Sequence, residues 1–480
     1  MRLLAMTSPG TNSRDIFLGA VRGIEAAGFD VLRWEIGPML QLLQRVQDPK
    51  GRAALAGDLG EQFRAFVESN RVDLSVGLWG NAMHSLPVVQ RSVSDGERRA
   101  ASFFEAIGHD HVLFWLDAPH WAANGAYRSL DRTPLVASER LHHVVNNPVT
   151  ADEMNRVLGY GRCLGRSYGI DPDQLRPQPD ITPVHDVVFG SGPGDAPPTP
   201  LMLAELARPE PDLQAVRLDE AERLRPKLAE LAGRWSASTS GRVDRDAAAA
   251  VLDRLLHVQL EKPGVPMLER LDSIGADRGP DPEPALAAAA RSLAETPRAF
   301  VEATATIRQI EHFRRAFTVS FLSKHLRVAV FGQGAFEGWP CDGVRRLGYV
   351  DFDRMSAAYA SGRLGLNVMR YQDEQGLNVK PFEVSASGRV CLCEDRPGLA
   401  ALLTPGEEVA PFGSPAEALE IARGLLASDA RRESMQAAAR ERVLRDHTWK
   451  RWGEDVVAFA KHRQANAAPD AAPDAAPVAA

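Results

Sequence analysis

Short, continuously apolar runs alternate with helical patterns at both ends of this chain of 480 residues. Strands that are buried on both faces read as unbroken apolar segments, so the alternation predicts a parallel, doubly wound sheet. Residues 1–180 are therefore predicted to form one Rossmann-like domain of the α/β class. The predicted strands of this part are Arg2–Met6, Phe29–Trp34, Val72–Leu78, His111–Leu116, Leu135–Ser138 and His143–Asn146.

A second sheet is predicted to begin at Asp186–Phe189, after a proline-containing stretch at 172–183 that has the composition of a linker. The strand pattern resumes only at residue 326. Residues 181–200 and 326–449 are thus predicted to form a second Rossmann-like domain, and Thr448 is predicted to cap a terminal helix over 450–466.

The segment 201–325 interrupts the second domain. It is rich in Ala, Leu, Glu and Arg with helical periodicity, and a Gly- and Pro-rich piece breaks it at 275–284. This composition predicts a large helical insertion. Residues 467–480 repeat Ala-Ala-Pro-Asp, which offers no apolar side chains to bury, and they are predicted to be a disordered tail.

Charge and cysteine content exclude several classes of function. The net charge is -7, and no dense Lys/Arg run is flanked by aromatic residues, so nucleic acid is not an expected partner. The four cysteines form no CxxC pair of the kind that builds a zinc or redox site. Two of them, Cys391 and Cys393, are predicted to share the buried side of a strand.

No signal-peptide core and no run of about 18 apolar residues occurs, which favours a cytoplasmic protein without a membrane segment.

The segment from Gly376 to Gly388 has the features of a binding site for a nucleoside diphosphate. A glycine turn leads to a helix that begins near Lys380 and carries Glu383 one turn later. Helix amides and the lysine favour an anion, and a carboxylate can accept both hydroxyls of a ribose. Spacing alone fits equally well a surface ion pair of Lys380 and Glu383 that stabilises the helix by a few tenths of a kcal/mol.

The order of motifs over residues 326–460 resembles the C-terminal domain of GT-B glycosyltransferases, and in particular the branch of spore-maturation, capsule and flagellar glycosyltransferases. The elements that carry the resemblance are Val328–Gly334 with Trp339, Gly348–Val350, Tyr359–Asn367, Lys380–Glu383, Ala386–Gly388, Pro405–Glu408, and His447–Thr448 with Arg451.

The resemblance implies a GT-B fold, in which two Rossmann-like domains face a cleft. It also implies metal-independent transfer of a sugar from a nucleotide-diphosphate sugar, with no further cofactor, to a hydroxyl of a surface glycan or of a protein such as flagellin. Glu383 would hold the ribose and Lys380 the diphosphate. The other donor-binding residues would be Asn378, Gly332, Gly334, Tyr349, Gly190 and Ser191. Gln375 stands where retaining relatives begin a paired-glutamate motif, which leaves the stereochemical outcome open.

Asp117 and His120 are the candidates for the catalytic base. They follow the predicted strand His111–Leu116, at the edge where parallel sheets bind ligands. Either side chain can remove a proton from an acceptor hydroxyl. A capped turn, in which both side chains bond to the backbone, explains the same residues.

Two other functions fit the predicted fold. One is a nucleotide-sugar epimerase that needs no acceptor, and the other is a binding or assembly protein with a vestigial sugar site. The helical insertion is the candidate surface for recognition of an acceptor or partner, because the motifs of the family are present without it. Simple NAD binding is not favoured, since no GxGxxG follows the first strand.

Overall fold

The computed structural model describes residues 1–7, 12–78, 87–92, 98–117, 119, 138–194, 197–276, 284–332, 334, 336–341, 343–371 and 374–466. It contains two six-stranded sheets, in which every pair of neighbouring strands is parallel. The predicted α/β class with two parallel sheets is therefore confirmed.

The first sheet has the order β2-β1-β3-β6-β7-β8, and β4 and β5 form a separate antiparallel hairpin. The strands are β1 (Arg2–Thr7), β2 (Asp30–Glu35), β3 (Leu74–Leu78), β4 (Pro87–Ser92), β5 (Arg98–Ser102), β6 (His111–Phe114), β7 (Leu141–Val145) and β8 (Cys163–Gly165). The helices are α1 (Asn12–Ala26), α2 (Gly37–Arg45), α3 (Pro49–Ser69), α4 (Phe103–Ile107) and α5 (Pro148–Val157).

Two details of this half differ from the sequence-based expectation. The sequence after the second predicted strand predicts one helical stretch to about residue 69, but this part forms two helices, because Asp48 accepts a hydrogen bond from the Gly51 amide and Pro49 starts a new helix. The last strand, β8, was not predicted, since three residues carry too little periodicity. Of the strand predicted at Leu135–Ser138, all but the last residue lies outside the described part of the chain.

The second sheet has the order β11-β10-β9-β12-β13-β14. Its strands are β9 (His185–Phe189), β10 (Val328–Phe331), β11 (Arg345–Gly348), β12 (Gly362–Asn367), β13 (Val390–Glu394) and β14 (Ala410–Phe412). Cys391 and Cys393 pack in one buried cluster, whereas Val390 and Leu392 pack in another on the opposite face. This alternation confirms that the two cysteines share one side of the strand.

Helices α6 to α12 lie between β9 and β10. They are α6 (Pro200–Leu206), α7 (Leu213–Ser238), α8 (Arg245–Glu261), α9 (Met267–Ala276), α10 (Pro284–Ala294), α11 (Pro297–Arg308) and α12 (Arg314–Ser323). The apolar faces of α7 to α11 form one core with Leu113, Trp115 and Val145 of the first half. Each fully buried side chain of this size contributes about 1.5–3 kcal/mol, so the insertion is firmly docked on the first half.

The remaining helices of the chain are α13 (Met355–Ala360), α14 (Lys380–Ala386), α15 (Leu399–Leu402), α16 (Pro415–Ala427), α17 (Asp429–Asp446) and α18 (Trp449–Asn466). The last of them returns to the first half and packs on α1, where a Cβ on Gly23 would lie 2.2 Å from the carbonyl carbon of Trp449. Thr448 accepts a hydrogen bond of 3.3 Å from the Arg451 amide, which confirms the predicted cap.

Two of the sequence-based expectations concern membranes and the tail. Within the described ranges, no helix is long and apolar enough to cross a bilayer. The tail predicted at 467–480 lies outside the described residues.

The close crossing of α1 and α18 predicts that Gly23→Ala destabilises the protein. The added methyl group has no space against Trp449, and overpacking of this kind costs about 1–3 kcal/mol. Urea denaturation measures the loss. The matched control is Gly424→Ala in α16, where no atom lies within 4 Å of the added Cβ; it should be neutral or stabilising by up to about 1 kcal/mol. Equal stability of the two variants would contradict the tight crossing.

Candidate functional site

Loops at the carboxyl ends of the second sheet enclose a pocket of about 90 Å³. The loops follow β9, β10 and β12, and the residues just before and at the start of α12 complete the wall. The lining residues are Gly192, Pro193, Gly194, Glu311, His312, Arg315, Gly334, Met369, Arg370 and Tyr371. The carboxyl edge of an open parallel sheet is where ligands bind in such folds.

The pocket is basic, because the carboxylate of Glu311 in its wall is already paired with Arg217 and Arg314. The Arg315 guanidinium donates from Nε to the Val368 carbonyl at 2.9 Å and from Nη1 to Ser191 Oγ at 3.0 Å. Arg370 and His312 line the same space. Sequence reasoning missed all three residues, because Arg315 and His312 lie in a helical segment and Arg370 in a loop, and no local motif marks them. The arrangement suits an anionic group, since arginine presents several donors to phosphate oxygens.

Three glycines allow these loops to lie against one another. Gly332 and Gly334 have φ values of +133° and +105°, which residues with a side chain rarely adopt. A Cβ on Gly190 would lie 2.6 Å from Tyr359 Oη. The predicted residues Gly190, Ser191, Gly332 and Gly334 are thus brought together at one edge. A glycine is required at position 190 because a side chain there would collide with Tyr359 and Phe331.

Glu383 is completely buried on α14. Its Oε2 accepts hydrogen bonds from Tyr359 Oη at 3.0 Å and from Lys380 Nζ at 2.8 Å. Burial and the adjacent carboxylate raise the pKa of Tyr359 well above its usual value, so the phenol keeps its proton and acts as donor. Glu383 Oε1 is buried without a hydrogen-bond partner among the described residues. The interpretation as a surface pair is wrong, because the carboxylate has no exposed surface.

The turn before α14 differs in detail from the expectation. Asn378 Oδ1 accepts a hydrogen bond of 3.0 Å from the Lys380 amide and so holds the start of the helix. Gly376 does not have a positive φ. Glycine is needed there because a Cβ would lie 2.9 Å from Asn147 Nδ2 of the first half. The backbone at Gly376 therefore lies close to another part of the protein, Asn147, and not to a bound phosphate.

Gln375 stands at the position of the absent glutamate, and Glu374 precedes it. Both side chains form hydrogen bonds with residues of the insertion. Glu374 Oε2 accepts from Arg308 Nε at 3.0 Å. Gln375 Nε2 donates to the Gly264 carbonyl. A glutamate at position 375 could not make this hydrogen bond, because a carboxylate has no donor for the Gly264 carbonyl.

Asp117 lies in the loop after β6, on the first half, and faces the basic pocket. Its Oδ1 is 3.9 Å from Arg370 Nη1. Although 37% of the side chain is exposed, the surrounding protein raises the pKa of this carboxyl by desolvation, and the charges of Arg370 and Arg315 partly oppose the rise. The structure thus brings Asp117 to the predicted cleft, whereas His120 lies outside the described residues.

Tyr349 directly follows β11, which ends at Gly348. The side chain is 42% exposed. Its charged neighbours are Asp15 of α1 and Asp351. Tyr349 therefore lies on the side of the second half that faces the first. Among the residues that the structure describes, no cluster of three or more His, Cys, Asp or Glu side chains is placed to hold a metal ion.

Comparison with known proteins agrees with this architecture. Residues 308–458 match the family model described as glycosyl transferase-like. The fold is similar to that of sucrose-phosphate synthase from Thermosynechococcus elongatus, with a TM-score of 0.50 and 10% sequence identity over 97% of this chain and 99% of that one. The chain has the GT-B fold. No curated protein matches the sequence.

Two further structures align over nearly the whole chain. The HepE protein of Anabaena, in complex with UDP and glucose, gives a TM-score of 0.45 at 10% identity over 97% of this chain and 98% of that one. BGT of phage T4, in complex with UDP and Mn²⁺, gives 0.44 at 10% identity over 96% and 99%.

Proposed function

We propose that the protein is a glycosyltransferase that moves a sugar from a nucleotide-diphosphate sugar to an acceptor hydroxyl. The observation that carries the proposal is the buried carboxylate of Glu383, one oxygen of which has no partner among the described residues, next to a basic pocket. The match to the glycosyl transferase-like model supports it, because residues 308–458 include Glu383, Lys380 and Arg315.

In this proposal the ribose lies at Glu383 and the diphosphate in the basic pocket. The two places are contiguous: Glu383 bonds to Tyr359, a Cβ on Gly190 would touch Tyr359, and Ser191 bonds to Arg315. Because Glu383 Oε1 has no exposed surface, binding requires the residues over it to move, after which this oxygen accepts one ribose hydroxyl. Lys380 releases Glu383 Oε2, which then accepts the other ribose hydroxyl. The Lys380 ammonium binds the phosphates together with Arg315 and Arg370. Gly332, Gly334, Asn378 and Tyr349 border the nucleoside.

For transfer, Asp117 accepts the proton of the acceptor hydroxyl, with His120 as the other candidate base. The hydroxyl oxygen bonds to the anomeric carbon, the bond from that carbon to the phosphate oxygen breaks, and its electron pair leaves with the diphosphate. The charges of Arg315 and Arg370 stabilise the leaving group.

From the resemblance to the spore-maturation, capsule and flagellar branch we propose a cytoplasmic enzyme that acts on a surface glycan or on a protein such as flagellin.

Replacement of Glu383 by glutamine should weaken binding of the nucleoside diphosphate about 10- to 100-fold. The amide replaces an acceptor by a donor, and hydrogen bonds to charged groups are worth about 1.5–3 kcal/mol. Titration calorimetry measures this, after a thermal-shift screen with uridine, guanosine, cytidine and thymidine diphosphate sugars has chosen the nucleotide.

The control variant is Glu420→Gln on the exposed face of α16, which should bind normally. A 2′,3′-dideoxy nucleotide should bind wild-type protein and Glu383→Gln alike, since the hydroxyls that Glu383 accepts are absent. Unchanged activity of Glu383→Gln would refute the ribose site. Epimerisation of the nucleotide sugar without acceptor, observed by proton NMR, would establish the epimerase instead.

Transfer should be unaffected by removal of divalent metal. Three cationic side chains, Arg315, Arg370 and Lys380, are available to neutralise the leaving diphosphate in this proposal. Initial rates with and without excess EDTA check the expectation. A rate that falls with EDTA and returns with Mg²⁺ or Mn²⁺ would show that these side chains are insufficient.

The pH dependence should identify Asp117 as the base. A base acts as the carboxylate, so kcat/KM should fall as the pH falls through the raised pKa of Asp117, above the range of an ordinary aspartate. The Arg370 charge lowers this pKa, and Arg370→Met should therefore move the acidic limb to higher pH. Arg298→Gln, at an exposed ion pair on α11, is the control and should leave the limb in place. A limb unmoved by Arg370→Met would exclude Asp117.

A further inference from the structure

The loop that leads into the proposed donor helix is held by the insertion. We call residues 374–379 the donor loop. Its first side chain, Glu374, is 1% exposed. Oε2 accepts from Arg308 Nε at 3.0 Å and from Arg270 Nη2 at 3.4 Å, and Oε1 accepts from Gln259 Nε2. These three partners lie on α11, α9 and α8, which belong to the insertion and not to the second sheet.

The next residues of the donor loop also contact groups outside the second sheet. Gln375 donates to the Gly264 carbonyl, between α8 and α9. Gly376 packs against Asn147 of the first half. The Leu377 carbonyl accepts from Asn146 Nδ2 at 3.5 Å. The four successive residues 374–377 are thus placed by the insertion and the first half, two residues before α14 begins at Lys380.

The charges around Glu374 form a compact buried group. Burial lowers the pKa of Arg270, and the nearby Glu374 carboxylate opposes this. Glu153 of α5, which is 2% exposed, belongs to the same group: its charge also acts on Arg270, and its Oε1 accepts from the Met267 amide at 3.1 Å. Buried charges persist only when they are paired and hydrogen-bonded, so this arrangement has little freedom to shift.

We infer that the insertion positions the donor site, with Glu374 as the positioning residue. Through Arg308, Arg270 and Gln259, Glu374 sets the path of the donor loop and hence the place of Lys380 and Glu383. Its importance for sugar transfer rests on the proposed function, but its control of the loop does not. The insertion then has a role in donor binding, in addition to the recognition of an acceptor or partner that the sequence predicts.

The test compares Glu374→Gln with Glu153→Gln. Each removes one buried carboxylate from the same charge group, so both should lose stability, but only Glu374 belongs to the donor loop. Hydrogen exchange of the 374–386 amides in the ligand-free protein should rise about tenfold or more in Glu374→Gln alone, which corresponds to about 1.4 kcal/mol. The Kd of UDP, GDP, CDP or dTDP, whichever wild-type protein binds most tightly, should rise similarly, with kcat at saturating donor changed much less.

Gln375→Ala provides a second variant that leaves no unpaired charge and should fold. It loses only the bond to Gly264 and should show the same changes to a smaller extent. Equal exchange and equal Kd in Glu374→Gln and Glu153→Gln, or no change in Gln375→Ala, would overturn the inference. Failure of wild-type protein to bind any of the four nucleotides would refute the proposed function, whereas the exchange comparison would still decide the role of Glu374.

Discussion

A buried carboxylate, Glu383, imposes conditions on the structure around it. A charged group without water must be paired and hydrogen-bonded, and Glu383 obtains these partners from Lys380 and Tyr359. Tyr359 can reach it only because residue 190 has no side chain, since a Cβ there would collide with the phenol oxygen. Phe331 completes the packing edge-on against Tyr359. The hydrogen bond from Tyr359 to Glu383 therefore depends on the absence of a side chain at the end of β9.

The position of the two halves relative to each other depends on a shared apolar core and on the insertion. One cluster of buried side chains contains residues of both sheets together with Trp449 and Trp452 of α18. The insertion adds a second connection. Its apolar faces share a core with β6 and β7 of the first half, and its Arg308 is paired with Glu374 of the second half. Ion pairs between the halves at the surface, such as Arg166 with Asp455, contribute little by comparison.

Electrostatic complementarity across the cleft comes from both halves. The basic side chains Arg315 and Arg370 line the carboxyl edge of the second sheet, and Asp117 faces them from the first. A site that must stabilise a leaving diphosphate and accept a proton needs cations and a base within a few ångströms of one another. Here the combination comes from residues 117, 315 and 370. The GT-B arrangement supplies it by bringing together the ends of strands that are far apart in sequence.

The sequence by itself determined the two parallel sheets, the helical segment that interrupts the second of them and the candidate segment around Lys380 and Glu383. These features are local, because apolar runs, helical periodicity and motif spacing are properties of neighbouring residues. The three-residue strands β8 and β14 carry too little of this signal.

Tertiary structure alone decided whether Lys380 and Glu383 form a surface pair or a buried one, since burial depends on what the rest of the chain places over them. It also brought Arg315 to Ser191, across 124 residues, and Arg308 to Glu374, across 66. Contacts between such distant residues arise from the packing of whole elements, which no local pattern encodes.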